Sequence, residues 1–459
     1  MKKLILITVL LTGFLVKAQD STLVVKTTFT LEEAVGFGLN NGYNSRISDK
    51  DVAIALKQKW EIISQGLPQI SANGSYTNNL IQPITLIPAV FNGGPPGSFI
   101  PVTFGTKQAV NANVVWNQLI FDGSYIVGVQ SAKTLLQISE NSNVKTNLEV
   151  KKAITDAYGN VLLARESIAI LKGNLAILEK NLDDTQKIYD NGLVEEEDVE
   201  QLKITFLGLE ANLNNALRIE EIAYDMLKVT MGIPVDSEIV AIDNLNDLSL
   251  ENFDLLLLDT QINVEENIDY RLAEDQKNLA EVEVKLEKSK ALPRLTGFLN
   301  FGYSGNSDEF TFFNREQEYF DQSILGLQLT VPIFSSGMRS AKTAQKQLAF
   351  EQSLLRLEQT RNQIKLQIEN AKSEYQFAIE NYGNKKQSLA LAERIENKNR
   401  IKFTEGISSS FELSEAQQQL YQAQQQYLQT MLDVITKKTA LENLLDTTKY
   451  NSDNNPNQK

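Results

Sequence analysis

The chain has 459 residues, enough for two or three domains or one elongated body, and its formal net charge of −14 argues against nucleic acid as a partner, because phosphate binding needs a basic surface. It contains no cysteine and no histidine, which excludes disulfides, thiol chemistry, histidine-ligated zinc and imidazole general bases. No motif organises the remaining carboxylates, lysines and tyrosines, so the sequence predicts neither an enzyme nor a bound cofactor or metal.

Residues 1–18 are predicted to be a secretory signal peptide. The basic start Met1-Lys2-Lys3 is followed by an uncharged run from Leu4 to Val16, and Val16 and Ala18 supply small residues for cleavage before Gln19. The run is too short to span a bilayer, and no later segment has the roughly 18 consecutive apolar residues of a transmembrane helix. We therefore expect an exported chain that is either soluble or enters an outer membrane as β-strands.

The mature chain begins with a predicted helix over 31–66, opened by a capping-box pattern at Thr30–Glu33. Strands are predicted over 69–80 and 107–121, where apolar and polar residues alternate. The interval 82–106 holds five of the ten prolines and is predicted to be a long loop that closes a hairpin.

Two long proline-free stretches, after Pro101 and after Pro332, predict very long helices, because proline costs about 3 kcal/mol inside a helix. A heptad seam from Ile364 to Ala392 supports this prediction. One such helix would be about 100 Å long at 1.5 Å per residue. The predicted long helices cover 124–189, 195–231, 337–403 and 409–446.

A segment over 232–263 fits neither strands nor long helices. After it, the order of a helix followed by two strands is repeated. We predict a helix over 264–291 and strands over 294–305 and 323–334, with a loop over 306–320. The apolar faces of the four strands include Ile70, Trp116, Leu299 and Leu325, and the polar faces include Asn73, Asn113, Asn300 and Gln328.

Similar short sequence segments in the two halves of the chain predict an internal duplication. Leu67-Pro68 resembles Leu292-Pro293, Phe121 resembles Phe334, and Tyr189–Leu193 resembles Phe403–Ile407. The predicted repeats cover 19–231 and 264–446. The tail 447–459, rich in Asn, Asp, Gln and Lys, is predicted to be disordered.

The four strands leave two interpretations open. Alternation fits a membrane barrel with a wet interior, and it also fits the half-buried sheet of a soluble sandwich; the signal peptide and the long helices favour the barrel. In lipid a sheet must close on itself, and about eight strands are needed even for a filled barrel, so several copies of the chain must share one wall. The sequence alone leaves the number of copies open.

The duplication, the Leu-Pro strand starts, the junction Val331-Pro332-Ile333-Phe334 and the glycine turns at Gly192 and Gly406 together resemble the TolC-like outer-membrane efflux proteins across the mature length. The resemblance implies a mainly α fold with membrane β-structure, in which a homotrimer builds a twelve-stranded barrel continued by a helical tunnel. It implies a passive exit duct in the outer membrane of a Gram-negative bacterium, in contact with outer-membrane lipid. The implied partners are a periplasmic adaptor and an inner-membrane pump of the RND or ABC type.

Acidic residues follow each glycine turn. By the resemblance, Asp198, Glu412 and Glu415 match positions near the periplasmic constriction of the family, where a ring of carboxylates would attract cations. The alternative is ordinary helix capping, since the dipole favours acids in any first turn by about 0.3–1 kcal/mol. Tyr189 and Phe403, just before the turns, either help to close the tip or pack between helices.

The turns themselves, 190–194 and 404–408, are the predicted adaptor contacts. Some family members carry an arginine two residues after the second glycine, where this chain has Ser408, so any closed state must be held by other contacts. The candidate contact residues are Asn191, Gly192, Leu193, Glu405, Gly406 and Ile407.

Two further function classes remain open from the sequence. One is a coiled-coil spacer of the envelope, anchored by a barrel. The other is an adhesin or receptor that uses the loop 82–106. The transported substrate cannot be deduced from the sequence, because the lining of a duct is generic and the pump selects the substrate.

Overall fold

The computed structural model of this mainly helical protein describes residues 27–261 and 263–445. The predicted signal peptide and the predicted tail 447–459 lie outside the described residues. The chain divides into two compact units. The helical unit comprises residues up to Tyr43, Val150–Asp254 and Tyr375–Thr439. The strand unit comprises Asn44–Glu149, Leu255–Glu374 and the residues from Ala440 onward.

The described strands, in chain order, are β1 (Thr28–Phe29), β2 (Gln69–Asn78), β3 (Ile84–Pro88), β4 (Phe99–Thr103), β5 (Gln108–Asp122), β6 (Val240–Ala241), β7 (Arg294–Ser307) and β8 (Tyr319–Thr330). The described α-helices are α1 (Leu31–Asn41), α2 (Tyr43–Ser64), α3 (Gly123–Asp190), α4 (Glu196–Met231), α5 (Leu245–Glu251), α6 (Ile268–Ser289), α7 (Met338–Thr404) and α8 (Ser410–Leu445). Among residues 27–261 and 263–445, every helix is too short or too polar to serve as a membrane span.

In the strand unit, four antiparallel strands form one sheet in the order β2-β5-β7-β8. The register aligns Ile70, Trp116, Leu299 and Leu325 in one row across the sheet. Because neighbouring residues of a strand point to opposite faces, the next row, which includes Ser71 and Asn300, lies on the other face. The sheet therefore has one mainly apolar and one mainly polar face.

The last strand ends earlier than its pattern predicts. Alternation continues to Phe334, but β8 ends at Thr330. Pro332 has no backbone N–H and cannot continue the ladder. The two strand-to-helix junctions consequently differ, because α3 starts directly after Asp122 whereas a short linker that contains Gly337 at φ 81° precedes α7.

The predicted loop 82–106 contains a hairpin of its own. β3 and β4 pair antiparallel, with Leu86 opposite Pro101. Proline is tolerated at the edge of such a two-stranded ribbon, and the flanking β-branched and aromatic residues favour strand. The loop prediction, which was based on proline content, therefore missed this hairpin.

The predicted helix over 31–66 is two helices, α1 and α2, separated by Gly42. Thr30 and Glu33 form the capping box at the start of α1. Gly42 leaves the helical conformation with φ −57° and ψ 140°. A side chain here would meet the carbonyl oxygens of Gly38 and Thr230, which explains why the break falls at a glycine.

A buried hydrogen-bond network joins distant segments of the helical unit. β1 and β6 pair in parallel. The hydroxyl of Tyr158, which is fully buried, donates to the carbonyl oxygen of Phe29 at 2.8 Å and lies 3.0 Å from the Asp243 carboxylate. The same carboxylate accepts the N–H of Leu31 at 2.7 Å. The network therefore holds the start of α1 against the segment after α4.

Replacing Tyr158 by Phe is expected to destabilise the protein by about 1–3 kcal/mol, because the carbonyl of Phe29 and the carboxylate of Asp243 lose a buried partner. Thermal unfolding followed by circular dichroism measures the loss. Tyr43→Phe, at an exposed tyrosine, is the control and should leave the melting temperature unchanged. Equal melting temperatures for all three proteins would contradict the role of the network.

Candidate functional site

The first glycine turn joins α3 to α4. Gly192 has φ 74°, in the left-handed region that favours glycine. Its N–H donates to the carbonyl of Tyr189 at 2.7 Å, and the N–H of Leu193 donates to the carbonyl of Ile188 at 3.2 Å. These two bonds satisfy carbonyls that a helix end leaves open, in the manner of a Schellman cap.

The second glycine turn, between α7 and α8, has the same geometry. Gly406 has φ 70°. Its N–H donates to the carbonyl of Phe403 at 3.0 Å, and the N–H of Ile407 donates to the carbonyl of Lys402 at 2.8 Å. The two turns thus share their local structure as well as their sequence pattern.

Each turn presents an apolar side chain to solvent. Leu193 is 77% exposed and Ile407 is 75% exposed. Asn191 is exposed as well, and its side-chain amide donates to the carbonyl of Lys187 at 2.7 Å. Glu405 is also exposed. The predicted adaptor-contact residues therefore form a solvent-facing surface at each turn, with Leu193 and Ile407 as its apolar part.

Asp198 is half-buried and caps the start of α8. Its Oδ1 accepts the backbone N–H of Ser410 at 3.2 Å. The first N–H groups of a helix have no partner within the helix, and a carboxylate there also interacts favourably with the dipole. The bond joins the residues after the two glycine turns, so Oδ1 of Asp198 is engaged with the backbone of α8.

Glu412 and Glu415 lie on the exposed side of the first turns of α8. The Ser408 hydroxyl donates to Glu412 Oε2 at 2.5 Å, and the N–H of Glu412 donates to the hydroxyl of Ser409 at 3.3 Å. Ser409 and Glu412 have the S-x-x-E spacing of a capping box, a signal that sequence inspection missed. Glu412 is thus tied locally, and Glu415 is exposed one turn further along.

The aromatic residues before the turns differ in their surroundings. Phe403 is partly buried and packs against an apolar cluster between the helices, as the packing alternative expects. Tyr189 is half-buried. The buried members of the cluster are Ile168, Leu171, Leu178, Leu202, Leu209, Ala216 and Leu413.

Replacing Asp198 by Ala is expected to cost about 1 kcal/mol, because the N–H of Ser410 loses its acceptor at a helix start. Asp198→Asn keeps an acceptor oxygen and should lose less. Hydrogen exchange at the first turn of α8 measures the effect locally, and faster exchange is expected in the alanine variant. Unchanged exchange there would show that the bond does not hold α8.

A half-buried carboxyl, Glu396, lies two turns before Phe403 on α7. Burial raises the pKa of Glu396 above its ordinary value, and Arg400, with its Nε 3.8 Å from the carboxylate, opposes only part of that effect. Burial, together with the Glu396 charge, raises the pKa of Tyr421 to about 12. Ionised Glu396 is therefore a local cost of folding.

The stability contributed by neutral Glu396 is fully present below the ordinary pKa of 4.5 and is lost as the pH rises through the raised folded value. Glu396→Gln removes the ionisation, so the variant should melt at a higher temperature than the wild type at pH 7. The difference should shrink towards pH 4. Glu393→Gln, at an exposed residue of the same helix, should show no such trend. A pH-independent difference for Glu396→Gln would count against this account.

Sequence comparison places the second half of the chain in a known family. Residues 263–447 match the family described as outer membrane efflux protein. The outer membrane protein TolC of Vibrio cholerae is 22% identical over 247 residues, which cover 53% of this chain and 55% of TolC. The alkaline protease secretion protein AprF of Pseudomonas aeruginosa is 23% identical over 299 residues, 63% of this chain and 59% of AprF. The matches thus span little more than half the length of these relatives.

Solved structures share the fold over nearly the whole chain. CusC superposes with a TM-score of 0.71 at 16% identity and covers 91% of this chain and 92% of its own. The Campylobacter jejuni CmeC outer membrane channel gives a TM-score of 0.72 at 15% identity and covers 92% and 88%. The open state of the Neisseria gonorrhoeae MtrE outer membrane channel gives 0.67 at 17% identity, covering 90% and 88%. With the family match in its second half, these findings confirm that the chain resembles the outer membrane efflux proteins, as the sequence pattern indicates.

Proposed function

We propose that this protein is the exit duct of a tripartite efflux or type I secretion system, which conducts substrates passively from an adaptor and an inner-membrane pump to the exterior. It is a protein of the outer membrane of a Gram-negative bacterium, as its relatives are, with helices that extend into the periplasm. Type I secretion enters the proposal because AprF is an alkaline protease secretion protein.

The observation that carries the proposal is the four-stranded sheet with two open edges. β2 and β8 each pair on one side only within the described part of the chain. The apolar face is exposed along β8, where Leu327 is 71% exposed. In lipid, backbone groups at an open edge would lack partners, so the sheet must be completed by other copies. Three copies would supply twelve strands, enough for a barrel with a polar bore.

The helices carry a second surface that a partner would cover, an exposed apolar stripe. Along α4, Ile219, Ile222, Met226 and Val229 are exposed at spacings of three, four and three residues. Such a stripe is typical of a coiled-coil contact. A neighbouring copy in the proposed homotrimer would cover it.

The two glycine turns are the proposed site of adaptor contact. Leu193 and Ile407 offer exposed apolar groups at turns of equal geometry, which suits docking of a partner's helical hairpin. Glu412 and Glu415 are the proposed constriction residues, with six such carboxylates in a trimer, which would favour cations. The carboxylate of Asp198 serves the constriction indirectly, by holding the start of α8.

Planar-bilayer recording of the purified protein tests the duct. We expect single-channel currents from a heat-sensitive trimer, with a reversal potential that indicates selectivity for cations. The double variant Glu412→Gln/Glu415→Gln should lower the cation preference, and Glu393→Gln is the control. A trimer that passes no current, even with Glu412 and Glu415 replaced by Ala, would instead support the coiled-coil spacer.

The hairpin β3–β4 keeps the adhesin alternative testable. Phe91 and Phe99 are exposed on this hairpin and its turn. Deleting residues 84–103 should leave the current and the trimer intact if the protein is a duct. Loss of cell-surface binding with unchanged export would favour an adhesin.

A further inference from the structure

Polar side chains pair with each other where α3 packs on α8 in the helical unit. The amide Nδ2 of Asn174, a buried residue, donates to Oε1 of Gln424 at 2.7 Å. Ser167 exchanges hydrogen bonds with Gln425. Asp198 and Thr205 of α4 contact Ser410 and Ser414 of α8 in the same order, so α4 and α8 are parallel. Because the chain reverses between α3 and α4 at the first glycine turn, α3 and α8 are antiparallel.

The same two helix faces carry a second amide pair one heptad nearer the glycine turns. Residues seven apart lie on nearly the same side of a helix. Seven residues after Asn174 on α3 comes Asn181, and seven residues before Gln424 on α8 comes Gln417. In an antiparallel pair these two steps run in the same direction, so the spacing predicts that Asn181 and Gln417 face each other.

This second pair differs from the first because its amides are unpaired. Asn181 Nδ2 and both Gln417 Nε2 and Oε1 are buried without a hydrogen-bond partner among the described residues. Gln417 is only 1% exposed. Buried polar atoms in native proteins are hydrogen-bonded to protein or to ordered water, so these three atoms require a partner.

Nearby hydroxyl groups are already engaged. The Thr185 hydroxyl donates to the main-chain carbonyl of Asn181 at 2.7 Å. The hydroxyls of Thr205 and Ser414 lie 2.6 Å apart and share a hydrogen bond. The unpaired set therefore consists of two donors and one acceptor.

We propose that one ordered water molecule is bound between Asn181 and Gln417. It accepts hydrogen bonds from Asn181 Nδ2 and Gln417 Nε2 and donates one to Gln417 Oε1. A water molecule accepts two bonds and donates two, and buried waters typically make about three, so the three atoms match its capacity.

The hydrated pair fixes the register of α8 on α3. Leu178 and Leu413, both fully buried, flank it along the two helices. A shift of α8 by one turn would bring the Gln417 amide against apolar side chains, away from Asn181 and the water. Single polar positions in coiled coils specify register in this way, at some cost in stability.

A density map that resolves ordered solvent, obtained from the full chain in detergent or lipid, tests the site. We expect one solvent peak within hydrogen-bond distance of Asn181 Nδ2 and of both Gln417 amide atoms. The Asn174–Gln424 pair is the internal control and should show a direct bond without solvent between the amides. A direct Asn181–Gln417 bond, or a dry gap, would overturn the proposal.

Paired leucine variants provide a second readout that does not depend on the map. Gln417→Leu leaves Asn181 Nδ2 and the water short of partners and should lower the unfolding midpoint by about 2–4 °C. The double variant Asn181→Leu/Gln417→Leu removes every polar atom of the site and should recover the wild-type midpoint. The single variant Asn181→Leu completes the set. Strictly additive losses in Gln417→Leu, Asn181→Leu and the double variant would show that the two residues share no site.

Discussion

Replacing Gly232 by Ala is expected to be the most damaging single change, with a loss of about 4 kcal/mol or more in folding free energy. Gly232 ends α4 with φ 77°. A Cβ there would lie 2.3 Å from the carbonyl oxygen of Asn41 and 3.0 Å from the Cα of Gly42. Both neighbours are backbone atoms, which cannot rotate away, so α1 and α4 must separate in the helical unit. Thermal unfolding and the yield of folded protein measure the effect.

Gly192→Ala is the matched control for this prediction. Gly192 has nearly the same conformation, with φ 74°, but a Cβ there would meet nothing within 4 Å. Its replacement therefore costs only the left-handed conformation, about 1–2 kcal/mol. Equal losses for the two variants would mean that backbone strain, and not the close approach of α1 and α4, makes Gly232 necessary.

Replacing Leu327 by Arg is expected to prevent assembly in the membrane. Leu327 lies opposite Gly297 on the apolar face of the sheet and is 71% exposed. An arginine on the lipid face of a barrel costs about 2–4 kcal/mol near the bilayer midplane, and the proposed trimer would carry three copies. The amount of heat-sensitive trimer in outer-membrane fractions measures assembly, and we expect it to fall below detection.

Gln328→Arg is the control for this variant. Gln328 is the next residue of β8, so it lies on the polar face, opposite Thr296. We expect a normal amount of trimer and a shift of the bilayer current away from cations, since three positive charges would line the bore of the proposed trimer. If Gln328→Arg blocked assembly and Leu327→Arg did not, the assignment of the two faces would have to be reversed.

Local patterns predicted much of the fold. Proline gaps and heptad spacing placed the long helices, and the observed end of α3 at Asp190 lies one residue from the prediction. Alternation placed the start of β7 at Arg294. Periodicity is a property of residues that are close in sequence. Structural features that depend on such residues can therefore be predicted from the sequence.

Structural features that depend on contacts between residues far apart in the sequence could not be predicted. The break at Gly42 depends on the carbonyl of Thr230, and the capping of α8 by Asp198 joins residues 212 positions apart. The acids after the glycine turns were visible, but only the fold distinguishes the capping carboxylate of Asp198 from the exposed one of Glu415. The hairpin β3–β4 was missed for another reason, because proline content outweighed its alternating residues.

The short parallel pair β1–β6 has a consequence for how the chain matures. Phe29 pairs with Ala241, so the earliest described segment finds its partner only after more than half of the polypeptide has emerged. Closing so long a loop is slow and entropically costly. Until then the backbone edge of β1 has no partner strand, and the apolar ring of Phe29, which is 2% exposed in the folded chain, is not yet covered.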